Sequence, residues 1–385
     1  MPPRQRRTPQ VHKFGGASLA DSSAIRNAVE IIQQHGSEPT VVVVSAMAGV
    51  TDALLEMARE AGSGAEHPVA SLIAQLRSRH AEVARTLLPA GRGRAGMLAH
   101  VGSVFQELEA LASGLRLLRE LTPRTTDSIL SRGERLSARL LVATLQQSKV
   151  AARYVDATDV IHTDTSFGHA SPDLKRTDRS CQRLLPPLLS RGIVPVIPGF
   201  LGQAPDGEVT TLGRGGSDLT ATLVARAVGA TRVSLWKDVP GLLTADPRVV
   251  EDARVIPQLH AREAAELAYY GAKVLHPRAL IPLVGRRTSI YVRPFADPQS
   301  SGTEVSERVP PGRFPVKALT AAGGQALVTV TGNGMLGVPG IAARTFAALH
   351  TRAISVSLIS QASSEHSICF SVPEPLAEAA RQALV

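Results

Sequence analysis

Five short stretches carry residues that could do chemistry together. Lys13 opens Lys13-Phe14-Gly15-Gly16-Ala17-Ser18, where a short strand reading runs into a turn. Paired glycines let backbone N–H groups approach a phosphate, and a following helix would add the favourable end of its dipole. A lysine there can neutralise charge on a transferring group. Alone the motif is weak, since a structural turn beside a surface lysine explains it too. The second stretch, Leu212-Gly213-Arg214-Gly215-Gly216-Ser217-Asp218, puts three glycines in four positions around a cation, a strong anion-binding signal. Ser217 and Asp218 would also serve as N-cap residues of a helix expected over Leu219–Val228.

The third stretch is Leu235–Gly241 with Lys237 and Asp238, followed by Ala245-Asp246-Pro247-Arg248. In open α/β sheets ligands bind beyond the carboxyl ends of strands, so Asp238 and the Asp246–Arg248 loop sit where a nucleotide could lie. Turns driven by Asp and Pro explain them equally. The fourth, Gly271-Ala272-Lys273-Val274-Leu275-His276-Pro277, offers a lysine that could reach phosphates, while His276 suits a loop or a cap better than a base. The fifth is Ser131-Arg132-Gly133-Glu134-Arg135-Leu136-Ser137. Read as a helix start, it could grip an amino group with Glu134 and a carboxylate with Arg132, or be a capped helix on a charged face.

Two familiar phosphate loops are absent. No GxxxxGKS or GxxxxGKT exists, and the one GxGxxG match, Gly91–Gly96, lies in a helical block and follows no strand. A P-loop NTPase and a dinucleotide-binding dehydrogenase are both disfavoured.

The elements that must position these residues alternate. Val11–Phe14 and Thr40–Val44 read as strands around a helix that Asp21, Ser22 or Ser23 could cap and Gly36 stop. The uninterrupted valines argue for a strand buried on both faces, as in a parallel sheet. Residues 52 to about 148 read as a helical lobe broken at Pro89–Gly96 and Gly114. Strand signals return at Ala151–Val155, Ile193–Ile197 and Arg232–Trp236, which places the chain in the α/β class. The Pro- and Gly-rich stretch 294–315 reads as a linker. After it come strand Gln325–Thr331, a Gly-rich turn, helix Ile341–His350, strands Ser355–Ile359 and Ser367–Val372, and helix Pro375–Leu384. That order is ferredoxin-like but stops short of a last strand.

Composition bounds the rest. The chain has 385 residues, 44% of them apolar and 19% charged, enough for two or three ordinary domains. The net charge is +9, but aromatics are only 3% and the basic residues are scattered singly, so nucleic acid is not an expected partner. Residues 1–10 read as a disordered basic tail with no apolar core of a secretory signal. No 18-residue apolar run exists, so no membrane span is expected. Two cysteines, Cys181 and Cys369, lack a CxxC pattern and fit a reduced cytoplasmic setting.

Taken in order, these segments resemble the aspartate kinases of the amino acid kinase family. KFGGAS resembles the family's opening KFGGTS or KFGGSS, and SAMAGVTD (Ser45–Asp52) its second loop. SRGERLSA, GFLGQAPDGEVTTLGRGGSD, DVPGLLTADPR and GAKVLHPRAL are similar to the remaining signatures, so the likeness runs over nearly the whole chain from Val11. It implies an αβα sandwich with a mainly parallel sheet over 11–293. It also implies transfer of the ATP γ-phosphate to the side-chain carboxylate of L-aspartate, the first step of lysine, threonine and methionine biosynthesis. By the same likeness Lys13 stabilises the transferring group, and Gly15, Gly16 and Ser18 cradle phosphates. Asp218 orients the lysines, Arg214 and Ser217 hold aspartate, Glu134 binds its α-amino group, and Ser45 and Thr51 lie near it. Lys237, Asp238, Leu243, Arg248, Lys273 and Val274 fall to the nucleotide. Mg2+ would be held mainly by ATP phosphates, with no protein ligand. Three positions depart from the pattern. Ala17 replaces Thr or Ser, Lys237 replaces Thr, and Leu243 replaces a Tyr near the adenine.

The segment 316–385 resembles an ACT domain, an amino-acid-sensing module, in the form found in aspartate kinases fused to homoserine dehydrogenase. The likeness implies a threonine or lysine effector at Asn333, Ile341 and Gln361, and pairing of such modules into a homodimer or higher homo-oligomer. Those enzymes usually carry two modules, whereas one is present up to Val385.

Overall fold

The computed structural model describes residues 8–271, 274–309, 316–332, 334–335, 337–361 and 366–385. They form two compact units, one ending at Leu319 and the other spanning Thr320–Val385. In chain order the first contains β1 (Gln10–Phe14), α1 (Ser22–Gln34), β2 (Thr40–Val44), α2 (Val50–Ser63), α3 (His67–Leu87), α4 (Arg92–Leu118), α5 (Pro123–Gln147), β3 (Ala152–Tyr154), α6 (Leu174–Leu189), β4 (Val194–Pro198), β5 (Leu201–Gln203), β6 (Val209–Thr211), α7 (Gly216–Val228), β7 (Arg232–Lys237), β8 (Gln258–His260), α8 (Ala261–Tyr269), β9 (Ser289–Pro294) and β10 (Thr303–Ser306).

Eight strands make one sheet in the order β3-β4-β2-β1-β7-β9-β10-β8. The first six in that order run parallel, β10 turns antiparallel against β9, and β8 follows β10. The valine run of β2 shows how the sheet is buried. Val42 and Val44 join the core packed by α1–α5, while Val41 and Val43 join the core packed by α6 and α7. A strand buried on both faces needs no polar alternation. On β1 the same alternation sends Phe14 to the first core and Val11 to the second, and so directs Lys13 toward α7. The chain reverses its direction of growth across the sheet between β1 and β7, the place where open α/β sheets leave a crevice at the strands' carboxyl ends.

The helical lobe is held to this sheet by close packing. Asp21 caps α1 by accepting from the Ala24 amide at 2.9 Å. Thr122 caps α5, with Pro123 pre-set in the first turn. Gly133 is inside α5, not at a helix start as its flanking charges suggest. A β-carbon there would lie 3.0 Å from Ala46 Cβ and 3.1 Å from Val50 Cγ1. The glycine is a close-approach residue that lets α5 press on the loop after β2.

Several expectations need correction. Gln10 belongs to β1 and is buried, so the structured chain begins within the stretch read as a tail; Arg4, Arg6 and Arg7 lie outside the described residues. Gly93, Gly96 and Gly114 sit within α4 and break nothing, because nothing crowds them and the helix continues through. The stretch 294–315 is not simply a linker, since Thr303–Ser306 forms β10 inside the main sheet and residues 310–315 lie outside the described residues. The compact unit runs on to Leu319, whose amide donates to the Thr244 carbonyl. Pro and Gly at both ends of β10 hid a short strand whose Val305 is buried.

The second unit contains β11 (Gln325–Thr331), α9 (Ile341–Thr351), β12 (Leu358–Gln361), β13 (Ser367–Pro373) and α10 (Ala377–Leu384). Its antiparallel sheet has the order β11-β13-β12. Ile368, Phe370 and Val372 alternate into a small core with Leu349 and Ala380 from the two helices. Strand β12 begins at Leu358, three residues later than the expected Ser355.

Candidate active site

Lys13 lies one residue before the carboxyl end of β1. Its ammonium meets Asp218 Oδ1 at 2.8 Å, and both side chains are less than a tenth exposed. Lys237, the last residue of β7, donates from Nζ to Asp218 Oδ2, also at 2.8 Å. One carboxylate thus holds one ammonium on each oxygen. Burial alone would raise the Asp218 pKa, but Lys13 and then Lys237 hold it down to about 2. Burial pushes the Lys13 ammonium down from its ordinary value, Asp218 opposes that, and Lys237 adds to it.

Asp218 is not a cap. Gly215, in a left-handed conformation, occupies the N-cap of α7, and Ser217 and Asp218 lie in its first turn. The loop's glycines are required by geometry. Gly215 has φ +72°, and a β-carbon there would lie 2.4 Å from His276 Cβ. A β-carbon on Gly216 would lie 2.7 Å from Phe200 Cδ2. His276 itself caps a short 3-10 turn by accepting from the Arg278 amide at 3.3 Å. Arg278 then reaches back to the carbonyls of Leu212 and Ala170 at 2.7 and 3.1 Å. Arg214 is exposed and makes no hydrogen bond or ion pair among the described residues. Its charge, after burial and Arg278, helps hold the His276 imidazole below its ordinary pKa.

The glycine loop after β1 lies beside this cluster. A β-carbon on Gly15 would lie 3.6 Å from Lys13 Nζ and 3.7 Å from the Trp236 carbonyl oxygen. The Gly16 carbonyl accepts from the Ala48 amide at 3.1 Å, which ties the loop to the one following β2. Ser18 is buried and donates to the Trp236 carbonyl at 3.4 Å. The chain therefore folds both lysine-bearing strand ends and both glycine loops into one place.

On the helical-lobe side, Glu134 is buried in α5. Thr51 Oγ1 donates to its Oε1 at 3.5 Å, and among the described residues no donor reaches Oε2. Burial raises its pKa to about 7 against weak support from its own amide, the Ala46 amide and Thr51. Ser137, one turn on, donates to the Ser45 carbonyl at 2.5 Å. Ser45 in turn lies at the carboxyl end of β2, its amide bonded to the Phe14 carbonyl. Close packing joins this side to α7, because a β-carbon on Gly199 would lie 2.9 Å from Ser217 Oγ.

Lys13, Gly15, Gly16, Ser18, Ser45, Thr51, Glu134, Ser217, Asp218 and Lys237 are thus brought together along the carboxyl ends of β2, β1 and β7. Asp238 follows directly and is exposed. Among the described residues, the nucleotide candidates Leu243, Arg248 and Val274 share no hydrogen bond or ion pair with this cluster. Leu243 bridges to Val255, Arg248 grips Asp246 with its guanidinium, and Val274 packs against the α6–α7 core. Lys273 lies outside the described residues. No group of three or more His, Cys, Asp or Glu that could hold a metal ion occurs among the described residues. The carboxylate nearest the lysines already has both oxygens taken, so this donor set suits a metal carried by phosphates better than a protein cage.

Three positioning residues gave no motif signal. Asp127, wholly buried, accepts from the amides of Gly168 and Thr211 and from Thr211 Oγ1 at 2.7–2.8 Å. Arg79 donates to the carbonyls of Ala48 and Ala20, clamping the two loops. Asp156 joins Arg135 to Tyr154 and Thr158. A lone buried Asp seven residues before Glu134, on the same helical face, was the available clue for the first.

The second unit holds its own site. Ile341 and Gln361 line a cavity of about 280 Å³ with Met335, Val338, Ala342 and Ile368, while Asn333 lies outside the described residues.

A mainly parallel sheet carries paired glycine loops and a lysine–aspartate cluster at its switch point, a setting suited to an anionic ligand. Residues 8–294 match the amino acid kinase family and residues 328–385 match the ACT domain, and the chain belongs to the amino acid kinase family. Within that family it is similar to the bifunctional aspartokinase/homoserine dehydrogenase 2 of Arabidopsis thaliana, 34% identical over 382 residues, covering 97% of this chain and 41% of that protein. The chain thus spans about two-fifths of that relative's length. It is also similar to the crystal structure of E. coli aspartokinase III in complex with aspartate and ADP, with TM-score 0.81 and 34% identity over 94% of this chain and 78% of that one. The same enzyme with lysine and aspartate matches with TM-score 0.79 and 33% identity, over 97% and 82%.

Proposed function

We propose that this chain is an aspartate kinase, moving the ATP γ-phosphate to the side-chain carboxylate of L-aspartate and forming 4-phospho-L-aspartate. The observation that carries this is the pairing of two unlike sites. A glycine-cradled cluster of lysines on Asp218 lies along the same strand ends as Glu134, a buried carboxylate with an unused oxygen. The first suits a polyphosphate and the second an ammonium group.

The acceptor carboxylate is already an anion, so little proton transfer is needed. A new bond forms from its oxygen to the γ-phosphorus while the bond to the β-phosphate oxygen breaks and that electron pair leaves with ADP. Catalysis is then positioning plus neutralisation of charge. Lys13 faces the transferring group, Gly15, Gly16 and Ser18 cradle phosphates, and Arg214 and Ser217 hold aspartate with Ser45 and Thr51 nearby. Glu134 takes the α-amino group. Asp238, Leu243, Arg248, Lys273 and Val274 border the nucleotide, and Mg2+ arrives with ATP. This would be the first step toward lysine, threonine and methionine. The E. coli structures hold aspartate, ADP and lysine, which supports both the substrates and an amino-acid effector, lysine or threonine, in the Gln361–Ile341 cavity.

Pairing of second units would make a homodimer or a larger assembly. A cytoplasmic setting agrees with two free cysteines and with no described helix long and apolar enough to cross a membrane. The test is hydroxylamine trapping with Mg-ATP and aspartate, glutamate in parallel. Aspartate-specific hydroxamate is expected. No hydroxamate from folded protein that still binds threonine or lysine would make it a sensing subunit instead.

A further inference from the structure

We infer that Lys237 is a second catalytic cation of the phosphoryl-transfer site, set on the leaving-group side of Lys13. This deepens the kinase reading and rests on it. The position departs from the resemblance, which has Thr there and assigns it to the nucleotide pocket. The geometry gives the lysine another task. Its Nζ is 2.8 Å from Asp218 Oδ2, while Lys13 takes Oδ1 of the same carboxylate at the same distance. Asp218 therefore acts as a template that aligns two ammonium groups and leaves one net positive charge on the trio.

The order of strands says which group each cation faces. Across the sheet the sequence is β2, β1, β7. The loop after β2 carries Ser45 and leads to Thr51 and Glu134, the acceptor side. Lys13, the penultimate residue of β1, is in the middle. Lys237 ends β7, one residue beyond the pair Phe14↔Trp236, on the side away from the acceptor. An in-line transfer running from acceptor to leaving group along that axis meets Lys13 at the γ-phosphoryl group and Lys237 at the diphosphate. The electron pair released when the γ-phosphorus leaves the bridging oxygen ends on ADP, where a fixed ammonium stabilises it. The Lys237 side chain is 17% exposed against 7% for Lys13, so it remains open to a ligand from one side. A role limited to the adenine would leave its ion pair with Asp218 without a purpose in the reaction.

The experiment compares wild type with Lys237→Met, Lys237→Gln and Lys237→Arg. It measures turnover together with calorimetric binding of tripolyphosphate, ADP and AMP. In the neutral variants turnover should fall about 10- to 100-fold, and tripolyphosphate and ADP should bind about tenfold more weakly. AMP affinity and the aspartate KM should stay within about twofold, and Lys237→Arg should keep most polyphosphate affinity. Unchanged tripolyphosphate affinity in a folded neutral variant overturns the inference, as do equal losses for ADP and AMP. If wild type makes no acyl phosphate, the kinase reading fails, and the tripolyphosphate comparison still decides whether Lys237 holds a polyphosphate. Two neutral substitutions are used so that misfolding of one, seen by circular dichroism, leaves the other to decide.

Discussion

Asp218 and Glu134 are both carboxylates sealed from water, and they are driven in opposite directions. Asp218, on the α7 side, is held at about 2 because two ammonium groups outweigh its burial. Glu134, on the helical-lobe side, rises to about 7 because only a hydroxyl and weak amide contacts oppose its burial. Burial is common to both, so the partner set makes the difference. One carboxylate is more than neutralised by its two lysines before any ligand arrives and can only shape their field. The other is short of a cation and gains most from a ligand that brings one.

The sharpest way to break this contrast is at Asp218. Asp218→Asn should lower turnover about a thousandfold by freeing both lysines, and Lys13→Ala should do nearly as much. Acyl-phosphate formation by folded variants checks this, and near-normal rates would remove the template role. Next comes Glu134→Gln, which should raise the aspartate KM about 100-fold with a smaller loss in turnover. Equal effects on aspartate and ATP would mean that the two carboxylates are not separate sites.

A pH series sharpens the same point. Protonated Glu134 cannot hold an ammonium group, so the wild-type aspartate KM should fall as pH rises through about 7, and Glu134→Gln should flatten that limb. Stability carries the opposite sign. The folded pKa of Glu134 lies above its ordinary 4.5, so its contribution is full below that value and is lost as pH rises to about 7. Asp218 contributes above its ordinary 3.8 and loses that contribution as pH falls toward about 2. Thermal melts at pH 4.5 and pH 8 should therefore show Glu134→Gln gaining on wild type only at the higher pH. The smallest expected effect is at the loop. Gly215→Ala should cost about 1–3 kcal/mol of stability and raise the aspartate KM more than the ATP KM, through Arg214 and Ser217 on either side of it, as read by denaturant melts and initial rates.

Much of this was legible in the residues. The valine run of β2 and the glycine loops located the sheet and its crevice, because burial on both faces and close backbone approach leave a strong residue signature. Helix α5 was misjudged at Gly133 because a glycine between charges looks like a boundary, whereas here it serves packing against Ala46 and Val50. Strands β5, β6, β8 and β10 were missed because three or four residues are too few to show a period. Lys237 stood out only as a departure, since its ion pair with a carboxylate 19 positions earlier in the chain is a tertiary fact. Asp127 offered only its spacing from Glu134, because its bonds to Gly168 and Thr211 are tertiary too.

Asp127 and Glu134 stand seven residues apart, two turns along one face of α5. The first is bolted by three hydrogen bonds to Gly168 and to Thr211, the residue that ends β6 just before the Arg214 loop. The helix is thereby a ruler whose zero is fixed to the Arg214 loop and whose mark is Glu134, the carboxylate that the proposed function assigns to an amino group. An acceptor longer by one methylene would overrun that mark, a mismatch worth about 1–3 kcal/mol in discrimination. Under the proposed function, a preference for aspartate over glutamate would be a measurement of length, with Asp127 keeping the scale from slipping.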